Sequence, residues 1–198
     1  MKICLYGSAS NSINKTYKEV GYDLGKEIAN KNHTLVFGSG NHGMMGSVAK
    51  GVYTNHGKII GIAPEWMHEF EEIYPHCNKI FYTKSMSERK RLFLVKSDAF
   101  IVTPGGIGTL DEFFEIITLK KLEIHSKPIV IFNINNFYDS MIKMIEDMIN
   151  ENTVSRDSTQ LYHITTTVDE TMDYLENYWR ILFFFNTFFI NYNMNKKI

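Results

Sequence analysis

The sequence predicts an α/β domain built on a mostly parallel sheet with helices on both faces. Three observations carry that prediction. Short apolar, β-rich runs recur along the chain and alternate with helix-period segments, the order that builds parallel sheets. Two of these runs, "AFIVT" and "IVIFN", show no polar alternation, as strands covered on both faces require. The length of 198 residues suits one domain, and an apolar fraction of 44% supplies a sizeable core.

The predicted strands are 2–6, 34–37, 58–63, 79–82, 99–103, 128–133 and 161–165. Helical patterns fall between them. Leu110, Phe113, Phe114 and Ile117 follow i, i+3, i+4, i+7 spacing, and Phe137, Met141, Ile145 and Met148 form a similar stripe. The ten methionines read as core filler rather than ligands. Residues 1–178 are expected to form one domain, followed by an aromatic tail over 179–198. The stretch "YWRILFFFNTFFINY", residues 178–192, is shorter than the roughly 20 residues of a spanning helix and contains Arg180 and Asn186. It reads as a terminal helix packed on the body or on a partner subunit, with a membrane-surface segment as the alternative.

Composition excludes several classes. A formal net charge of -1 gives no bulk attraction to nucleic acid or an acidic membrane. Cys4 and Cys77 are two unclustered thiols, which make neither a metal site nor a disulfide framework. The start, "MKICLYGSAS", lacks the long apolar core of a secretory signal, so a cytoplasmic location is expected.

Parallel sheets bind ligands at the carboxyl ends of their strands, and three loops there stand out. "LYGSAS", residues 5–10, brings Gly7, Ser8 and Ser10 to the end of the first strand, as an anion loop or a tight turn. "LVFGSGNHGMMG", residues 35–46, contains G-x-G-x-x-G as Gly38, Gly40 and Gly43, between a strand and a helix. That is the context of a dinucleotide fingerprint. It lies on the second strand, however, with only Glu65 near the expected acidic position, and the glycines also suit close helix–strand packing. His42 has no second histidine at ligand spacing and reads as a loop residue.

The third loop, "TPGGIGTLDEFFE", residues 103–115, delivers Pro104, Gly105, Gly106, Ile107, Gly108 and Thr109 to a helix expected to begin at about Thr109. Bare backbone amides at a helix N-terminus suit a phosphate. No Walker lysine follows, so a monophosphate is the simpler guest. Glu112 has two readings: it faces that ligand, or it closes a capping box with Thr109. Ser85 and Glu88 form a second box just before Arg89, Lys90 and Arg91. Those three consecutive cations fan round a helix, so not all of them face a cleft.

Taken together, "PGGIGTLDE", "MSERK" and "GSGNHGMMGSVAKG" resemble the motifs of the Lonely Guy family of cytokinin-activating phosphoribohydrolases over roughly residues 1–178. Proteins of this family have often been labelled lysine decarboxylases, yet no lysine here stands in a recognisable Schiff-base setting. The resemblance implies a Rossmann-like, doubly wound fold, usually a homodimer, and hydrolysis of N6-modified adenosine 5′-monophosphates to free base and ribose 5-phosphate. It places Arg89 and Glu112 as catalytic residues. Glu71, Lys90, the run Gly106, Ile107, Gly108, Thr109, Leu110, Asp111, and Thr118 match positions lining the nucleotide site. Gly105, Gly38 and Gly40 join them from the loops above. No metal or organic cofactor is implied, and neither nucleic acid nor a membrane span is expected. Ser87 and Ser39 depart from the family pattern where His and Gly are common. A general AMP glycosidase, a non-catalytic carrier of nucleotide-like ligands and an NAD-dependent enzyme using Gly38, Gly40 and Gly43 are the alternatives.

Overall fold

A computed structural model describes residues 1–180. Seven strands form one sheet: β1 (Lys2–Tyr6), β2 (Thr34–Phe37), β3 (Lys58–Pro64), β4 (Lys79–Thr83), β5 (Ala99–Val102), β6 (Ile129–Phe132) and β7 (His163–Thr165). Their order is β4-β3-β2-β1-β5-β6-β7, and every pairing is parallel. All seven predicted strands are present, each within two residues of its expected bounds.

The helices are α1 (Lys15–Asn30), α2 (Gly43–Thr54), α3 (Met86–Lys96), α4 (Ile107–Lys121) and α5 (Asp139–Asn150), with α6 starting at 168 and running to the last described residue. Leu24 and Ile28 of α1, Met44, Val48 and Val52 of α2, and Met172 and Leu175 of α6 pack on one face. Phe93 of α3, Phe113 and Ile116 of α4, and Met141 and Ile145 of α5 pack on the other. The all-buried strands β5 and β6 lie between these layers, and each fully buried Leu, Ile or Phe contributes about 1.5–3 kcal/mol. The result is the Rossmann-like, doubly wound sheet that the sequence predicts. No helix among the described residues is long and apolar enough to cross a membrane.

Local signals fix the helix starts unevenly. Ser85 caps α3, its Oγ accepting from the Glu88 amide at 3.2 Å. Glu88 returns its carboxylate to the Lys84 amide at 2.8 Å, one residue earlier than a standard capping box. α4 departs from expectation. It begins at Ile107, two residues before Thr109, and Gly106 is its N-cap, with no side-chain capping bond. The first tail residues, 178–180, continue α6, and the Tyr178 hydroxyl donates to the Ser126 carbonyl at 2.6 Å. The rest of the predicted aromatic tail lies outside the described residues.

Candidate active site

The chain runs outward from β1 through β2 and β3 to β4, then returns to add β5 on the other side of β1. A crevice opens where such a sheet reverses direction, beyond the carboxyl ends of β1 and β5. Backbone bonds stitch its floor. Thr103 donates to the Tyr6 carbonyl from both its amide (2.9 Å) and its hydroxyl (2.8 Å), and the Ser8 amide donates to the Pro104 carbonyl at 3.1 Å. Above them lies a cavity of about 300 Å³, lined by Gly7, Ser8, Ala9, Met45, Glu71, Met86, Arg89, Gly106, Gly108, Thr109 and Glu112.

Arg89 comes from the first turn of α3 and is buried. Its Nε donates to the Ile62 carbonyl and its Nη2 to the Gly38 carbonyl, each at 3.2 Å, and the guanidinium carbon sits 5.3 Å from the Phe93 ring centre. Gly38 must be glycine for this: a Cβ there would occupy the position of Nη2. Gly40 does the same for Glu71, whose carboxylate fills the space a Cβ would take. The two glycines of the second loop therefore sit against the cleft's charged side chains. Glu71 arrives on the β3–β4 connection, which is tied to the second loop by the Tyr74 amide on the Ser39 carbonyl (2.7 Å) and the Asn41 amide on the Glu72 carbonyl (2.9 Å). Its Oε1 is buried without a hydrogen-bond partner. Burial raises its pKa, against the pull of Arg89 and His42.

Glu112 sits on α4, six residues past the N-cap, which is about 1.7 turns or about 9 Å along the axis. Its carboxylate lines the cleft and makes no bond back to its own helix start. The capping reading of Thr109 and Glu112 therefore does not describe this structure: Thr109 lies inside the helix, where its side chain is buried beside Gly105. Burial pushes Glu112 up to about 7, an effect that outweighs the nearby Arg89 charge. The free amides of α4 open into the same cleft, and a Cβ built on Gly106 or Gly108 would meet nothing within 4 Å. A helix start of this kind can receive an anion, and the carboxyl in the same cleft is poised near neutrality.

Other expected site residues lie elsewhere. Lys90 turns across to α4, reaching Asp111 at 3.1 Å and Glu115 still closer; these bonds raise its pKa, Glu115 first. Asp111 is thereby engaged outside the cleft lining. Leu110 packs into the apolar layer, and Ile107 is 87% exposed. Thr118 donates to the Phe114 carbonyl at 2.7 Å and borders a separate apolar groove with Ile117, Ile145 and Tyr162. Of the first loop, Ser8 lines the cleft, while its Oγ accepts from the Ser10 amide at 3.0 Å. Met45 and Met86 line the cleft although the sequence reads methionine as core filler. Their only sequence signal is their place next to the glycine loop and Arg89.

Comparison with known proteins shows the family. A protein-family model described as "Possible lysine decarboxylase" matches residues 45–175. "Probable cytokinin riboside 5'-monophosphate phosphoribohydrolase LOGL3" of Oryza sativa subsp. japonica is 33% identical over 177 residues, covering 89% of this chain and 84% of that protein. "Cytokinin riboside 5'-monophosphate phosphoribohydrolase LOG3" of Arabidopsis thaliana is 32% identical, covering 89% and 82%. Among solved structures, the molybdenum cofactor carrier protein of Chlamydomonas reinhardtii superposes with a TM-score of 0.67 at 20% identity, covering 89% of this chain and 96% of that one. The molybdenum cofactor binding protein of Rippkaea orientalis gives 0.66 at 20%, covering 89% and 94%. At that identity the two structures show the shared fold. The matched family model and the two plant relatives show more: this chain belongs to the Lonely Guy family, whose model bears the lysine decarboxylase description and whose curated members are named as cytokinin riboside 5′-monophosphate phosphoribohydrolases.

Proposed function

We propose that this chain hydrolyses the N-glycosidic bond of N6-modified adenosine 5′-monophosphates, releasing the free base and ribose 5-phosphate. One observation carries the reading: the anion seat at the start of α4 and the near-neutral carboxyl of Glu112 share one cleft with the fixed guanidinium of Arg89. A 5′-phosphate on the α4 amides leaves the ribose over Glu112. Breaking the bond from C1′ to the base nitrogen builds oxocarbenium charge on the sugar, as in other glycoside hydrolyses. Glu112 as carboxylate stabilises that charge and orients the water, taking its proton as the oxygen joins C1′. The bonding pair leaves with the base nitrogen, which takes a proton from solvent water, and Glu112 returns the proton it accepted to solvent, so that one water is consumed overall. A guanidinium does not give up its proton near neutrality, so Arg89 acts by position and charge. The names of the relatives support the substrate class. The resemblance also supports a homodimer.

The test is Glu112→Gln and Arg89→Ala assayed on N6-isopentenyl-AMP by chromatography of the free base, with circular dichroism as the folding control. Each is expected to lose on the order of 10²–10³-fold in turnover while staying folded. Near-normal turnover by Glu112→Gln overturns the mechanism. Release of adenine from AMP at a matching rate points instead to a general AMP glycosidase. Nucleotide complexes that give no free base point to a carrier.

A further inference from the structure

With phosphate seated on α4, the far end of the cleft must receive the base. Apart from the β1 loop and the start of α4, the cleft is lined by Met45, Glu71, Met86 and Arg89, which leaves these four to meet the base. Three of these are packed closely against their neighbours. Arg89 is 7% exposed and bonded to two carbonyls. Met45 is 8% exposed, its Sδ lying 3.3 Å from where a Gly38 Cβ would stand and its Cε 2.9 Å from that of Gly40. Glu71 is wedged against Gly40.

Met86 differs. It is the first residue of α3, 37% exposed, and its polar contact is Arg89 Nη1 to Sδ at 3.9 Å. A bond to sulfur at that length holds weakly, and an unbranched thioether turns about three single bonds. The cavity of about 300 Å³ is at the small end of the range for ligand pockets, roughly 300–1,000 Å³. Of the four, Met86 is the one with freedom to move for a base that carries an extra group.

We infer that Met86 is a specificity-determining residue: its side chain swings aside for an apolar substituent on the base and then packs against it. Met45, opposite, is the fixed wall. The inference rests on the nucleotide reading of the cleft given above.

The experiment compares N6-isopentenyl-AMP with AMP on the wild type, Met86→Ala and Met86→Leu. Met86 is at an exposed helix start, so both variants are expected to fold, checked by thermal melting. The ratio of kcat/KM for the isopentenyl nucleotide over AMP is expected to fall about 10-fold in Met86→Ala, the scale of a few lost methylene contacts. It is expected to stay within about twofold in Met86→Leu, which keeps the apolar volume. An unchanged ratio in Met86→Ala overturns the inference, and so does a Met86→Leu ratio that falls equally far. Calorimetric affinities of both nucleotides are measured in parallel on Glu112→Gln with and without Met86→Ala. If the wild type cleaves neither nucleotide, the proposed reaction fails, and the affinity ratio alone then decides. A fall of similar size sustains the role of Met86. No change in that ratio, or no binding of either nucleotide, refutes it.

Discussion

Glu112 occupies a place where its charge is disfavoured. Burial raises its pKa to about 7, and the attraction of Arg89 only moderates the rise. Arg89 cannot do more, because its guanidinium is turned onto the carbonyls of Ile62 and Gly38. The consequence for stability has a definite sign. The native state binds this proton more tightly than the unfolded chain, so stability falls as pH rises from the ordinary carboxyl range through 7. Glu71, also raised by burial, acts in the same direction. Glu112→Gln should therefore melt higher than the wild type at about pH 8. After allowance for the partial exposure of the site, roughly 1 kcal/mol, or about 2–4 °C, is expected. The gap should close towards about pH 5, where both proteins are uncharged at this position. Equal melting curves at the higher pH would mean that the carboxylate is better solvated than its surroundings indicate. The same titration predicts wild-type turnover rising with pH through about 7, since the carboxylate is the working form.

At the scale of the element, the start of α4 does two things that pull apart. Gly108 lies in its first turn, where glycine costs the helix about 0.5–1 kcal/mol relative to alanine. Nothing in the protein needs the missing Cβ, because one built there meets no atom within 4 Å. Gly108→Ala is thus expected to raise the melting temperature by about 1–4 °C while weakening nucleotide binding about 10-fold, because the added methyl stands where an anion approaches the amides. A variant that binds as well as the wild type would place the phosphate elsewhere. This helix also shows how the sequence can mislead. Thr109 and Glu112 have the spacing of a capping box, but Gly106 ends the loop with extended dihedrals and starts the helix without a side chain. A glycine cap leaves no polar signature in the sequence, whereas Thr109 carries one. Ser85, by contrast, caps α3 through its own hydroxyl and was legible. The strands were legible for a similar reason: burial on both faces leaves uninterrupted apolar runs, as in β5 and β6.

The cleft itself belongs to the whole molecule. Its lining comes from the loops after β1 and β5, from the β3–β4 connection and from the starts of α2, α3 and α4. No local pattern joins Gly38 to Arg89 or Gly40 to Glu71, since only the sheet order brings them together. The glycine spacing that suggests a dinucleotide fingerprint is explained here by two side chains arriving from distant segments at Gly38 and Gly40, and by a positive φ and the close backbone of residues 8–10 at Gly43. Met45 and Met86 were illegible as site residues because a methionine beside a helix start looks the same whether it faces a core or a cavity. The reversal between β1 and β5 is held from below by Tyr138, which precedes α5 and is buried. Its hydroxyl donates at 2.8 Å to the carbonyl of Thr103, the residue whose amide and hydroxyl both bond to Tyr6 across the switch point. Tyr138→Phe keeps the ring and removes one buried hydrogen bond, leaving a carbonyl short of a donor at about 1–2 kcal/mol. The melting temperature is expected to drop by roughly 2–6 °C, opposite in sign to the shift from Glu112→Gln at the same alkaline pH. Because Thr103 is also part of the cleft floor, the rise in melting temperature on adding AMP should shrink in this variant. An unchanged melting point would show that the crossing of β1 and β5 is secured by the sheet's own ladder, with Tyr138 a bystander.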